Sequence, residues 1–88
     1  MKKLEFIFIG TNGKEEKYHA LYDGQLVCTI FHDTCLYTGK QKVFQRFSIF
    51  LEEKKVWESL IPCWEKSLDE MMRDCVMVEW LMKSRLYI

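Results

Sequence analysis

Four cysteines and two histidines carry the most versatile chemistry in this 88-residue chain. Cys28, His32 and Cys35 stand at the spacing Cys-x3-His-x2-Cys, and Cys63 offers a fourth ligand. Thiolate and imidazole suit a tetrahedral zinc ion. The paired Cys-x2-Cys knuckles of structural zinc sites are absent, and no secretory leader is recognisable. The cysteines are therefore read mostly as small buried hydrophobes, and no metal or cofactor is expected. His32-Asp33-Thr34-Cys35 places a thiol near an imidazole and a carboxylate. A nucleophile and its base are recognised by their arrangement in space, however, and four consecutive residues do not define one. His19 is read as a structural, hydrogen-bonded histidine. No glycine-rich phosphate loop, Walker motif or Gly-x-Ser-x-Gly elbow occurs, so the chain is expected not to be an enzyme.

Lys40, Lys42, Phe44 and Arg46 form a second constellation. On a strand, alternate positions share a face, so three cations and a ring would line up, with Tyr37 and Phe50 near either end. Cations for phosphate and a ring for base stacking are what a single-stranded nucleic-acid surface needs. Three charges give a small counterion-release term, and Lys and Arg on an edge strand also guard it against aggregation. The guarding role is the favoured reading, and an RNA- or ssDNA-binding domain is the alternative function.

Thirteen basic and thirteen acidic residues balance to a formal charge of zero, which argues against an acidic DNA mimic and a polybasic binder. The first fifty residues are mildly basic and the remainder mildly acidic. With 49% apolar residues the chain can offset its ordering entropy, so disorder is a poor reading. No run approaches the roughly 18 apolar residues of a membrane span, so no membrane contact and a cytoplasmic location are expected. The length suits one small domain over residues 1–88, with a β-meander over 1–51 and a helical region over 52–88.

The elements that must position these residues follow from turn signals and periodicity. Asn12-Gly13 and Asp23-Gly24 favour two-residue type I′ turns, which predicts strands over residues 3–10, 15–22 and 25–31. That register sets Phe6 opposite His19, Leu4 opposite Leu21, and Leu21 opposite Leu26. One face then carries Leu4, Phe6, Phe8, His19, Leu21, Leu26, Cys28 and Ile30. The reverse face carries Ile7, Ile9, Tyr18, Ala20, Tyr22, Val27 and Phe31, and is too apolar to be fully wet. Residues 32–41 read as a connection. The aromatics of 43–51 favour a fourth strand over a helix, with Val43, Phe47, Ile49 and Leu51 on one side.

From Glu52 onward, Trp57, Ile61, Trp64, Leu68, Met71, Cys75, Val78 and Met82 recur in steps of four and three, the stripe of an amphipathic helix. Pro62 interrupts it, and Ser67-Leu68-Asp69-Glu70 fits a capping box where a helix could restart. An unbroken helix over 54–84 would run about 46 Å, against about 30–35 Å for a compact domain of this size. The expected fold is α+β: an antiparallel meander of three or four strands, followed by a kinked helix or helix pair on one sheet face.

In the run 75–82 only Glu79 is polar. Read as helix it is apolar nearly all round, and as strand it is equally hard to hide. Such surplus apolar surface points to self-association, as a homodimer, or to a larger protein partner. The expected function is non-enzymatic protein binding by a small regulator or inhibitor of the kind phages and mobile elements encode, occluding its partner. Tyr18, Val27, Phe31, Met77, Trp80 and Leu81 are the expected contact residues.

Overall fold

A computed structural model describes residues 3–40, 42–62 and 66–76. Five antiparallel strands lie side by side in chain order: β1 (Leu4–Asn12), β2 (Glu15–Tyr22), β3 (Gln25–Gly39), β4 (Lys42–Leu51) and β5 (Lys54–Pro62). Among the described residues one helix, α1 (Leu68–Val76), packs across one face of the sheet. The architecture is α+β with a strand meander, as expected, with five strands in place of three or four.

The turns explain both what the sequence revealed and what it concealed. Asp23 and Gly24 both adopt positive φ, 54° and 82°, the conformation of a type I′ turn. At the first hairpin the turn is Gly13-Lys14 and not Asn12-Gly13, because Asn12 pairs with Glu15. Of the two turn residues only Gly13 has positive φ, 66°. The register also shifts between Phe8 and Gly10 in β1 and between Ala20 and Leu21 in β2. Phe6 therefore meets Ala20 instead of His19, and Leu4 meets Tyr22 instead of Leu21.

A one-residue slip turns a strand over. Tyr18, Ala20 and Tyr22 join the helix-covered face with Leu4 and Phe6, while His19 and Leu21 pass to the other. Leu21 does pair with Leu26, but on the open face. Tyr18 and Val27, expected on the reverse face, pack against the core.

Two further segments differ from the sequence expectation. Residues 32–39 continue β3 instead of forming a connection, with an irregularity between Asp33 and Tyr37. Residues 54–62 form β5, where the spacing predicted helix. Trp57, Ser59 and Ile61 alternate with Glu58 and Leu60, and the first set faces Ile49, Phe47 and Gln45 across β4. This period of two competes with the helical spacing of Trp57 and Ile61, and hydrogen bonding to β4 decides between them. Pro62 is tolerated at the end of β5, an outer strand among the described residues, where none of them needs its missing N–H. The predicted strand over 43–51 is present as β4.

The core lies between sheet and helix. Leu4, Ala20, Cys28, Ile30, Phe47 and Ile49 meet Met71, Met72, Cys75 and Val76, all buried. α1 begins at the predicted capping box: Ser67 Oγ accepts from Glu70 N–H at 3.2 Å, and Glu70 Oε1 accepts from Ser67 N–H at 3.4 Å. Asp69 and Glu70 in the first turn and Arg73 in the last suit the helix dipole. Arg73 lies over the Phe6 ring at 5.4 Å, which ties the helix to β1. Trp64, Val78 and Met82 of the predicted stripe, and the expected contact residues Met77, Trp80 and Leu81, lie outside the described residues.

Candidate protein-binding face

The face of the sheet opposite α1 is built by strand alternation. Pairing across the strands sets Ile7, His19, Thr29, Phe50 and Lys55 in one row. Gly10, Lys17, Phe31, Ser48 and Glu58 form the next, followed by Glu15, Asp33, Arg46 and Leu60. At its centre Phe31 and Phe50 meet edge to face, with ring centroids 5.0 Å apart and planes at 73°. Lys17 sits 6.0 Å from the Phe31 ring. Around this pair Ile7, Leu26 and Leu60 are 46%, 57% and 45% exposed. Beside Phe31, a shallow hollow of about 340 Å³ opens between Ile9, Asn12, Glu15 and Lys17.

A polar cluster closes one end of the face. Asp33 accepts from Cys35 N–H at 2.9 Å, from Tyr37 O–H at 2.8 Å and from Arg46 at 2.7 Å. These donors, the Cys35 amide foremost, hold its carboxyl down at about 2. The Arg46 guanidinium also lies 5.5 Å from the Tyr37 ring and 3.9 Å from Glu58. Glu58 accepts from Ser48 Oγ at 3.2 Å and from Lys55 at 3.4 Å. Every charge in this cluster has a partner of opposite sign, so the end of the face is fixed in shape and nearly neutral.

The basic–aromatic constellation is placed on this same face, with Phe44 opposite Tyr37. Lys42, Phe44 and Arg46 share the side of β4 that carries Ser48 and Phe50. Lys40 stands apart in the β3–β4 turn, with positive φ of 49°. Arg46 is bound to Asp33, so its charge is largely spent inside the protein.

The cysteine–histidine constellation is taken apart. His32 and Asp33 point to opposite faces of β3, as neighbours on a strand must. His32 is buried, stacks on Phe47 at 4.8 Å, and bonds Glu16 Oε1 through Nδ1 at 2.8 Å. Burial pushes the Cys28 thiol up to about 12, so it stays protonated and a poor nucleophile or ligand. Among the described residues no group of three or more His, Cys, Asp or Glu is placed to hold a metal ion. Cys63 lies outside them.

Sequence reasoning found Ile7 and Phe31 on this face and set Phe50 at the end of the basic–aromatic row that lies on it, but missed Leu26, Leu60 and the Asp33 cluster. The strand alternation of 54–62 and of 32–39 was the signal for the last two. No helix among the described residues is long and apolar enough to cross a membrane. Compared with known proteins, the chain matches no family model, and no characterised protein or solved structure matches it significantly.

Proposed function

We propose that this chain is a non-enzymatic protein-binding module, a small regulator or inhibitor that occludes a larger partner with the open face of its sheet. The observation that carries the reading is the ring of exposed Ile7, Leu26 and Leu60 around the Phe31–Phe50 pair. Aromatic residues within an apolar, polar-rimmed patch have the composition of a protein interface. The paired charges at one end supply such a rim. They also give the patch little net charge with which to attract nucleic acid.

Affinity capture from the native host lysate tests this, with Leu26→Asp and Leu60→Asp as comparison baits. A specific protein that survives a wash in about 0.5 M salt and is lost with either variant supports the reading, since apolar contacts respond little to screening. Nucleic acid that salt releases, or a protein retained equally by the variants, overturns it. The alternative, single-stranded nucleic-acid binding through Lys40, Lys42, Phe44 and Arg46, has the alignment of the last three along β4 in its favour. It requires affinity for a labelled oligonucleotide that falls steeply with salt and with Lys42→Ala.

A further inference from the structure

The two outer strands of the sheet are not alike. β5 carries Lys54, Lys55 and Glu58 and ends at Pro62, the features by which a sheet edge is kept from pairing with another chain. β1 has no charge and no proline from Phe6 to Asn12, and its Ile7, Phe8 and Ile9 are all about half exposed. Its backbone is also presented for pairing. Asp23 N–H donates to the Lys3 carbonyl at 2.9 Å, so the polar groups of Lys3 face β2. Alternation then turns the N–H and C=O of Leu4, Phe6 and Phe8 toward the outer edge, where no strand among the described residues pairs with β1.

We infer that β1 is a self-pairing edge, on which a second copy of this chain adds its own β1 antiparallel about a two-fold axis at Ile7. That axis pairs Phe6 of one copy with Phe8 of the other, both with backbone groups directed at the junction. The Phe8 ring, 53% exposed although it lies on the helix-covered side against Tyr18 at 5.4 Å, is covered by this step. Ile7 meets Ile7 on the open side. Lys3 and Glu5 of each copy fall beside the uncharged Ile9–Thr11 end of the other, so no like charges oppose across the junction. The two sheets become one of ten strands, with the guarded β5 edges outermost. The pairing shares Ile7 with the open-face reading, but that reading is tested at Leu26 and Leu60, which belong to β3 and β5.

Sedimentation velocity on the purified chain from about 10 µM to about 1 mM tests the pairing, a range suited to an interface below the roughly 1,200 Å² of standard size. The wild type is expected to double in mass across it. Ile7→Lys and Ile7→Glu each place like charges at the two-fold axis, and each is expected to weaken association by at least about tenfold. An equimolar mixture of the two is expected to restore the dimer. Val56→Lys on β5 is expected to change nothing. A wild type that stays monomeric, a charge-swap mixture that does not associate, or a Val56→Lys effect equal to that of Ile7→Lys overturns the inference. None of these outcomes bears on partner capture, which is read at Leu26 and Leu60.

Discussion

Asp33 shows how a single side chain can look catalytic in sequence and be structural in space. It follows His32 directly and precedes Cys35 by two, which suggests an acid–base–nucleophile group. Strand alternation sends His32 into the core and Asp33 to the open face, where it binds the Cys35 amide, Tyr37 and Arg46. The sequence held the information, but only for a reader who extends β3 past Phe31. The consequence is measurable. These donors lower the folded-state pKa of Asp33 from an ordinary 3.8 to about 2. A depressed carboxylate contributes stability above its unfolded pKa and loses it as pH falls through the folded one. The urea midpoint of the wild type is expected to drop between about pH 4 and pH 2, and Asp33→Asn should flatten that part of the profile. At pH 7 Asp33→Ala is expected to cost about 1.5–3 kcal/mol in urea unfolding, the range for hydrogen bonds to charged groups. A profile unchanged by Asp33→Asn would show that other carboxylates carry the acid transition.

Among the elements, the β4–β5 hairpin was the hardest to read, and the reason lies in its turn. Asp23-Gly24 announces itself because the left-handed conformation it needs is written in residues that tolerate it. The turn after Leu51 uses Glu52-Glu53, and Glu52 takes φ of 59° with a side chain that resists it. Without a turn signal, Trp57 and Ile61 merged with Leu68, Met71 and Cys75 of α1 into one helical stripe. α1 was legible for the opposite reason, since Ser67 and Glu70 form the reciprocal bonds their spacing predicts. The strain at Glu52 gives a direct test. Glu52→Gly removes a left-handed penalty of about 1 kcal/mol and adds chain entropy to the unfolded state, for a net gain of up to about 0.5 kcal/mol. Glu52→Val, β-branched, should lose more than about 1 kcal/mol at the same site. Thermal melts that rank valine at or above glutamate would contradict the hairpin geometry.

At the scale of the whole molecule, the sheet is loaded on one side. Among the described residues, Ile30, Phe47, Ile49, Cys75 and Val76 are the largest fully buried side chains, and all belong to the layer between β3, β4 and α1. The other face keeps comparable hydrophobes half exposed. This asymmetry separates residues that hold the fold from residues available to a partner, and the separation follows from burial alone. Phe47→Ala empties space within the sealed layer and is expected to cost about 3–5 kcal/mol. That is a large share of the 5–15 kcal/mol that stabilises a typical domain, so the variant should be substantially unfolded near 37 °C. Leu60→Ala removes a side chain that water already reaches, so its cost should fall within about 1 kcal/mol. Chemical denaturation of the two variants side by side measures the difference. If Leu60→Ala proved as damaging as Phe47→Ala, the open face would be needed for folding, and its apolar surface would no longer call for a partner. If the costs separate as expected, a loss of binding in Leu60 variants reports on the interface and not on the fold.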